Sequence, residues 1–561
     1  MNNQLAFSDY LVFIIYFLIV ASYGYMIYRR RKSREHDSKA FFLAEGSLTW
    51  WAIGASLIAS NISAEQFIGM SGNGFFVGIA VSAYEWLAAL ALVIIAVWFI
   101  PIYLKNKIYT MPQFLKTRYN ETVALIMAIF WLFLYVFVNL TSILYLGAIA
   151  INGLLPGHEY LHTVMIALAI FAVIITLGGM KVIGYTDVIQ VTVLIIGGFA
   201  TIYMALSVVA EKFGTGSGVI DGFTTLMREA PEHFHMILDK PTAASSQQDI
   251  DKYLIIPGIL MYAAGQWIVN LNYWGCNQYI TQRALGADLK TARTGILFAA
   301  MLKLMMPIIV MLPGIAAYVL NKSGKLDVVG GMDGAYSAVL GFLPTGLKGL
   351  SIAALTAAIV ASLAGKANSI STIFTLDIYK KYINTAAEEK KLVITGRVVV
   401  VCAMIVAVLF TWDDLLGIGG AGGFTFIQKY TGFISPGVFA MFLLGMFWKR
   451  TTGTAAIVGL LTGFGLSVFF NEFAPAVMGH ETFLYTAYPN GKGGFEIPFL
   501  ICMGLAFMFT IIVMVLLSLA GPKINPKAFE LDKSMFKLPP NIIAMIVVIL
   551  LILMALYVKF W

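Results

Sequence analysis

Stretches of about twenty apolar residues recur along almost the whole length of this chain, and they leave few folds open. Each is long enough to cross the hydrocarbon of a bilayer as a helix, which bonds its own backbone where no water can. Only 12% of the residues are charged and the mean hydropathy is +0.84, against about 25% charged in soluble domains. A water-soluble fold is therefore excluded. The pattern predicts an all-α membrane protein of fourteen transmembrane helices, near 10–28, 48–72, 78–104, 121–152, 163–180, 182–210, 254–281, 295–320, 349–378, 396–416, 424–448, 453–472, 495–520 and 541–560.

Charge sets the expected orientation. Arg29, Arg30, Arg31, Lys32, Arg34 and Lys39 follow the first span, so that loop belongs in the cytoplasm and the N-terminus outside. Because its basic cluster follows the apolar run, the first span does not read as a cleaved signal. Alternation from there puts most Lys and Arg inside and returns the C-terminus to the outside. The expected location is the cell's inner (plasma) membrane. The net charge of +8 is this inner-face bias and needs no nucleic-acid partner. Cys276, Cys402 and Cys502 all fall within spans, so no disulfide framework is indicated.

Two spans depart from the lipid-facing pattern. Leu48–Gly72 contains SLIASNISAEQFIGMSGNG, and Leu254–Thr281 contains GQWIVNLNYWGCNQY. Both read as helices broken near the membrane midplane, and five spans separate their starts. Interrupted helices in matching positions of two halves point to a transporter's binding site; small residues at helix contacts are the plainer reading of either one alone. The spacing predicts a ten-helix core over 48–448, with inverted five-helix repeats at about 48–210 and 254–448. Residues 1–47 then form an extra span and basic loop, and 449–561 an accessory C-terminal group. The polar segment 211–253 is expected to be an outer cover.

A sugar offers only hydroxyls, so its site needs carboxylate, amide and ammonium groups together. Gln66, Glu85, Asn270 and Lys303 supply these from four spans, and Tyr84, Tyr273, Trp274 and Phe424 offer rings beside them. Glu85 and Lys303 are expected to stabilise each other; a purely structural ion pair is the alternative. Asp187, in YTDVIQ, is a further intramembrane carboxylate that either guides a cation or caps a helix. Lys366 lies inside SIAALTAAIVASLAGKANSISTIFTLDIY, one turn beyond Ser362, and a cation at that depth is by default functional.

Two motif matches carry little. His158, Glu159 and His162 fit HExxH, with His233 and His235 as further candidate ligands, but the match follows Pro156-Gly157 in an outer loop where zinc chemistry lacks its helix. Gly417, Gly419 and Gly422 form a GxGxxG that follows no strand and reads as an outer turn.

The strings WWAIGASLIASNISAEQFIGMSGNGF, YEWLAAL, YTDVIQ, NLNYWGCNQYITQR, FAAMLK, ANSISTIFTLDIYK and IQKYTGFISPGVFAMFLLGMFWKRTT resemble, in order, the sodium/solute symporter family and its sugar-cotransporting members. The resemblance implies the LeuT-type inverted repeat with two discontinuous helices. It carries sugar contacts onto Gln66, Glu85, Asn270, Lys303 and Gln428, and an outer gate onto Met70, Tyr84 and Phe424. The inner gate falls on Tyr273, stacked on the sugar and bonded to Asn61. A family serine is Ala88 here. The implied sodium ligands are the carbonyls of Ala59, Ile62 and Ala358 and the hydroxyl of Ser362; the second serine hydroxyl is lost at Ala361.

Side chains at i and i+4 share a face and tilt toward the helix N-terminus, so Lys366 is expected to aim back toward Ser362. Its ammonium would occupy the vacated sodium position or pair with Asp187; alternatively it turns to the cytoplasm and sodium stays, more weakly held. The expected function is secondary transport of a hexose, sodium-coupled, by alternating access, with a sugar and the bilayer as partners. A sodium-independent or proton-coupled transporter, a membrane sugar sensor and an outer zinc hydrolase are the rivals. The sugar's identity and the oligomeric state are not readable from the chain.

Overall fold

The computed structural model describes residues 6–30, 48–63, 65–152, 155, 160–328, 331–413, 415 and 423–561. Most of these residues are helical; a short hairpin, Tyr488–Pro489 with Phe495–Glu496, is the one sheet among them. Ten helices are long and apolar enough to span a membrane, from Phe7–Ile27 to Pro540–Phe560. Two bent pairs bring the number to twelve: Gln247–Ala263 with Gln266–Cys276, bent by 80°, and Phe424–Gly432 with Ser435–Phe447, bent by 53°. The other two expected spans are shorter pieces. Leu161–Leu177 is a single apolar helix, and the 48–72 region is Trp50–Asn61 followed, after a break, by Glu65–Met70 and Ser71–Phe76. Length and composition thus support ten to twelve spans rather than a firm fourteen.

Both expected breaks are present. Trp50–Asn61 stops where Ile62 leaves helical geometry (φ −80°, ψ 111°), and Glu65–Met70 restarts as a wide π-type turn. The second span breaks twice, at Ala264–Gly265 and again at Asn277 (φ −90°, ψ 129°). The loosened backbone at Asn277 is taken up by protein. Gln278 N–H donates to the Tyr135 hydroxyl at 3.1 Å, and the Gln278 side-chain oxygen accepts from Met111 N–H at 2.7 Å. Irregular backbone at this depth persists only where protein or a water-filled cavity receives it.

Close helix contacts hold the centre. Trp50–Asn61 crosses Leu289–Val310 at a pair of glycines: a Cβ on Gly54 would lie 2.7 Å from the Gly295 carbonyl, and one on Gly295 would lie 2.8 Å from the Trp50 carbonyl. Without a hydrophobic drive between helices in lipid, such small-residue contacts supply the packing. Leu347–Thr372, buried along nearly its whole length, packs against Met180–Phe213 and Trp50–Asn61. Asp9 caps its start, accepting from the Gly346 and Gly349 N–H groups at 2.7 and 2.9 Å.

The polar segment 211–253 lies over one end of this bundle. His233 stacks on Tyr318, with ring centroids 3.9 Å apart, and its Nε2 lies 3.1 Å from the Phe75 carbonyl oxygen, at the tip of the first broken span. Gly78 turns the chain there with φ 101°; a Cβ would lie 2.6 Å from the His233 carbonyl oxygen, so glycine is required twice over. The C-terminal Trp561 meets the same cover through His235 Nδ1 at 3.1 Å.

Candidate functional site

One cavity lies among the two broken spans and the helices beside them. Gln66, Glu85, Asn270, Lys303 and Gln428, five positions far apart in the chain, all line it. Each arrives on a different element: Gln66 just past the first break, Glu85 on Ala83–Ile94, Asn270 on Gln266–Cys276, Lys303 on Leu289–Val310 and Gln428 on Gly423–Gly432.

Lys303 Nζ donates to Glu85 Oε2 at 2.5 Å, with side chains 1% and 4% exposed. The same ammonium lies 5.3 Å from the centre of the Trp274 ring. The Gln66 side-chain oxygen is held by Ser63 N–H at 3.0 Å, which orients the amide at the break. Asn270 Nδ2 donates to the Gln266 carbonyl at 2.9 Å, leaving its oxygen side for other partners. The fixed set therefore mixes donors and acceptors, as hydroxyl recognition requires.

Tyr84 and Phe424 meet edge to face, with centroids 5.1 Å apart, and both line the cavity. Met70 is buried, next to Gly69, where an added Cβ would lie 2.6 Å from the Phe424 Cβ, but Met70 is not among the lining residues. Asn61 Nδ2 donates to the Tyr273 hydroxyl at 2.9 Å, the contact expected of these two residues. Ala88 lines the wall where a hydroxyl was expected to be missing. Leu134, Asn139, Asn277, Ile427 and Thr431 also line the cavity and were not anticipated; Leu134 and Asn139 lie in the π-helical stretch Leu134–Leu140, a kind of element frequent at functional sites.

On the ion side, Ala59, Ile62, Ala358, Ala361 and Ser362 are all buried where Trp50–Asn61 packs on Leu347–Thr372. The Ser362 hydroxyl donates to the Ser60 carbonyl at 3.0 Å, joining the two helices. Asp187 neither caps a helix nor pairs with Lys366. It accepts from the Ser56 hydroxyl and lies 3.8 Å from Arg283 Nη2, while Arg283 Nε donates to Ser56 Oγ at 2.7 Å. The physical reason is reach: Arg283 extends back from just beyond the second broken span into the space beside Gly365, where an added Cβ would lie 2.6 Å from its Nη2. Lys366 lines the cavity, as does Glu65.

His158, Glu159, Gly417, Gly419 and Gly422 lie outside the described residues. His162 stacks on Trp412 and its Nε2 is 2.8 Å from the Trp412 carbonyl, so His162, His233 and His235 are each engaged with a different partner. Among the described residues no three His, Cys, Asp or Glu side chains cluster as metal ligands.

Comparison with known proteins agrees with this architecture. The family model described as "Sodium:solute symporter family" matches residues 41–463. A sodium/glucose cotransporter of Vibrio parahaemolyticus is 42% identical, covering 100% of this chain and 99% of that protein. The human sodium/myo-inositol cotransporter 2 is 34% identical over 81% of this chain and 68% of its own length. Among solved structures, a Na+-coupled sialic acid symporter in a substrate-bound outward-open state superposes with a TM-score of 0.74 at 20% identity, covering 93% of this chain and 99% of that one; it shares the fold. Its likeness, with the two broken spans, identifies the LeuT-type architecture expected from the sequence. This is a multi-pass membrane transporter, not an enzyme, with sodium as the coupling ion of a solute symporter, and the chain belongs to the sodium:solute symporter family.

Proposed function

We propose that this chain carries a hexose into the cell together with sodium by alternating access. The observation that carries the reading is the convergence of Gln66, Glu85, Asn270 and Lys303, from four separate elements, on one largely buried cavity. Together they offer amide, carboxylate and ammonium groups to a ring of hydroxyls, with Gln428 as a further amide and Trp274 and Tyr273 as apolar faces. The sodium/glucose and sodium/myo-inositol relatives support a polyhydroxylated solute.

Met70, Tyr84 and Phe424 close one side of the solute. Tyr273, tied to Asn61, closes the other, and its release opens the inner path. Sodium sits between the carbonyls of Ala59, Ile62 and Ala358 and the hydroxyl of Ser362. Trp50–Asn61 ends there, so carbonyls of its last turn have no following turn to bond them, and the negative end of the helix faces the cation. Ala361 supplies no ligand, so sodium is held by four oxygens. Its coupling is worth about 2.3 kcal/mol per 100 mV of membrane potential. Residues 48–448 form the transport core, in which the two broken spans and their bundle move against the remaining scaffold, and both termini lie outside the plasma membrane.

Uptake of labelled hexose into proteoliposomes, with an inward sodium gradient or with choline in its place, tests this. Accumulation above the external concentration with sodium, and simple equilibration with choline, is expected. Equal accumulation in both would reject sodium coupling and leave a sodium-independent carrier.

A further inference from the structure

Glu65 and Lys366 were not among the expected solute contacts, yet both line the cavity and are only 6% and 2% exposed. They reach it from different elements. Glu65 opens the helical segment just past the first break, with its N–H 3.3 Å from the Ser63 hydroxyl oxygen that accepts it. Lys366 projects from Leu347–Thr372, one turn past Ser362. Among the described residues the cavity's charged groups are four: Glu65, Glu85, Lys303 and Lys366.

We propose that Glu65 and Lys366 add a second carboxylate and a second ammonium group to the wall of the solute cavity, beside Glu85 and Lys303, which completes an electrically balanced site selective for neutral polyhydroxylated solutes over sugars bearing a net charge. Two carboxylates and two ammonium groups cancel, and each side chain is buried, so a charge arriving with the solute finds no counter-ion. An unpaired charge taken out of water is strongly disfavoured. Specificity then comes from what the wall rejects as much as from what it bonds. Lys366 thereby acts on the solute, and sodium keeps its own ligands. The inference rests on the sugar-transport reading above.

The test exchanges charge without changing shape. Purified full-length protein is assayed for binding of a labelled neutral hexose, competed by unlabelled hexose, a hexuronate, and a hexosamine held at a pH where its amine is protonated, all at fixed sodium. The natural chain is expected to prefer the neutral hexose by at least tenfold over either charged sugar. Glu65→Gln leaves the cavity with one more ammonium than carboxylate group and should improve hexuronate competition at least tenfold without helping hexosamine. Lys366→Met leaves Glu65 uncompensated and should do the reverse. The double variant, balanced again, should return to the natural order; it also answers the question if either single variant fails to fold. An unchanged order of competitors in both single variants, or a double variant that prefers a charged sugar, overturns the proposal. A shift confined to the sodium concentration needed for half-maximal binding would assign Lys366 to the ion site instead. Failure of the natural chain to bind any neutral hexose sinks the sugar reading itself, a result separate from the variants' order.

Discussion

Replacing Lys303 by methionine keeps the length of the side chain and removes its charge, so the effect on Glu85 can be worked from the geometry. The two groups are 2.5 Å apart with side chains 1% and 4% exposed. At an effective dielectric constant of about 20, Coulomb attraction at that distance is about 7 kcal/mol, most of it offset by the cost of taking both ions out of water. Breaking such a pair from one side costs about 3–5 kcal/mol, because one charge is left buried without its partner, whereas replacing both is close to neutral. Lys303→Met and Glu85→Gln should therefore each lower stability by about 3–5 kcal/mol, and the double variant should recover most of it. Sodium-driven hexose uptake should not recover, because the lost groups bond the solute. The assay pairs unfolding of purified protein in detergent with uptake into proteoliposomes for all four forms. Recovery of both stability and uptake in the double variant would make the pair a structural clamp and refute the reasoning. Single variants as stable as the natural chain would refute the burial argument.

Three further outcomes are expected. Tyr273→Phe keeps the ring but removes the acceptor of the Asn61 bond; a loss of about 1 kcal/mol should appear as a several-fold fall in uptake, and unaltered uptake would free Tyr273 from a gating role. Gly54→Ala drives a methyl to 2.7 Å from the Gly295 carbonyl and 2.6 Å from the Phe298 ring; overpacking of about 1–3 kcal/mol should lower the thermal midpoint in detergent, and an unchanged midpoint would show that the crossing gives way freely. The cover formed by 211–253 should loosen in acid. Burial holds the His233 imidazole down at about 4, from an ordinary 6.5, although Glu232 and the Phe75 carbonyl favour its charged form and Lys252 and Lys322 oppose it. An opened His233 takes up a proton more readily than the closed one, so the cover's stability is full above about pH 6.5 and falls as pH drops toward 4, at about 1.4 kcal/mol per pH unit at most. The protection of amides around 230–236, corrected for the intrinsic fall of exchange with pH, should drop over that window in the natural chain and not in His233→Gln; equal pH dependence in both would reject the assignment.

The broken spans were legible because polar residues are costly in lipid. Asn61, Gln66, Asn270 and Glu85 cannot be explained as lipid-facing, and their spacing pointed to two halves. Asn139 carried the same signal in an apolar run and was overlooked, since a single amide in a long span competes with plain helix packing. The bend between Gly432 and Ser435 has a local cause in Pro436, but a proline at the first turn of a helix marks a start as readily as a kink. Lys366 shows the limit of periodicity. Its direction along its own helix is set by the i, i+4 relation, yet the cavity it lines is shared with Glu65, brought there by a break some three hundred residues earlier in the chain. Asp187 shows it again: its partner Arg283 sits past the end of a predicted span, and only the fold reveals that the side chain turns back into the bundle. The π-type stretches at Glu65–Met70 and Leu134–Leu140, which rotate cavity residues into place, have no residue signature at all.

The account depends most on where the solute binds. A structure of the protein determined with sodium and a saturating hexose should show the sugar bonded to Gln66, Glu85, Asn270 and Lys303, with Glu65 and Lys366 on its rim. Sugar density elsewhere, with that cavity filled only by water, would contradict it.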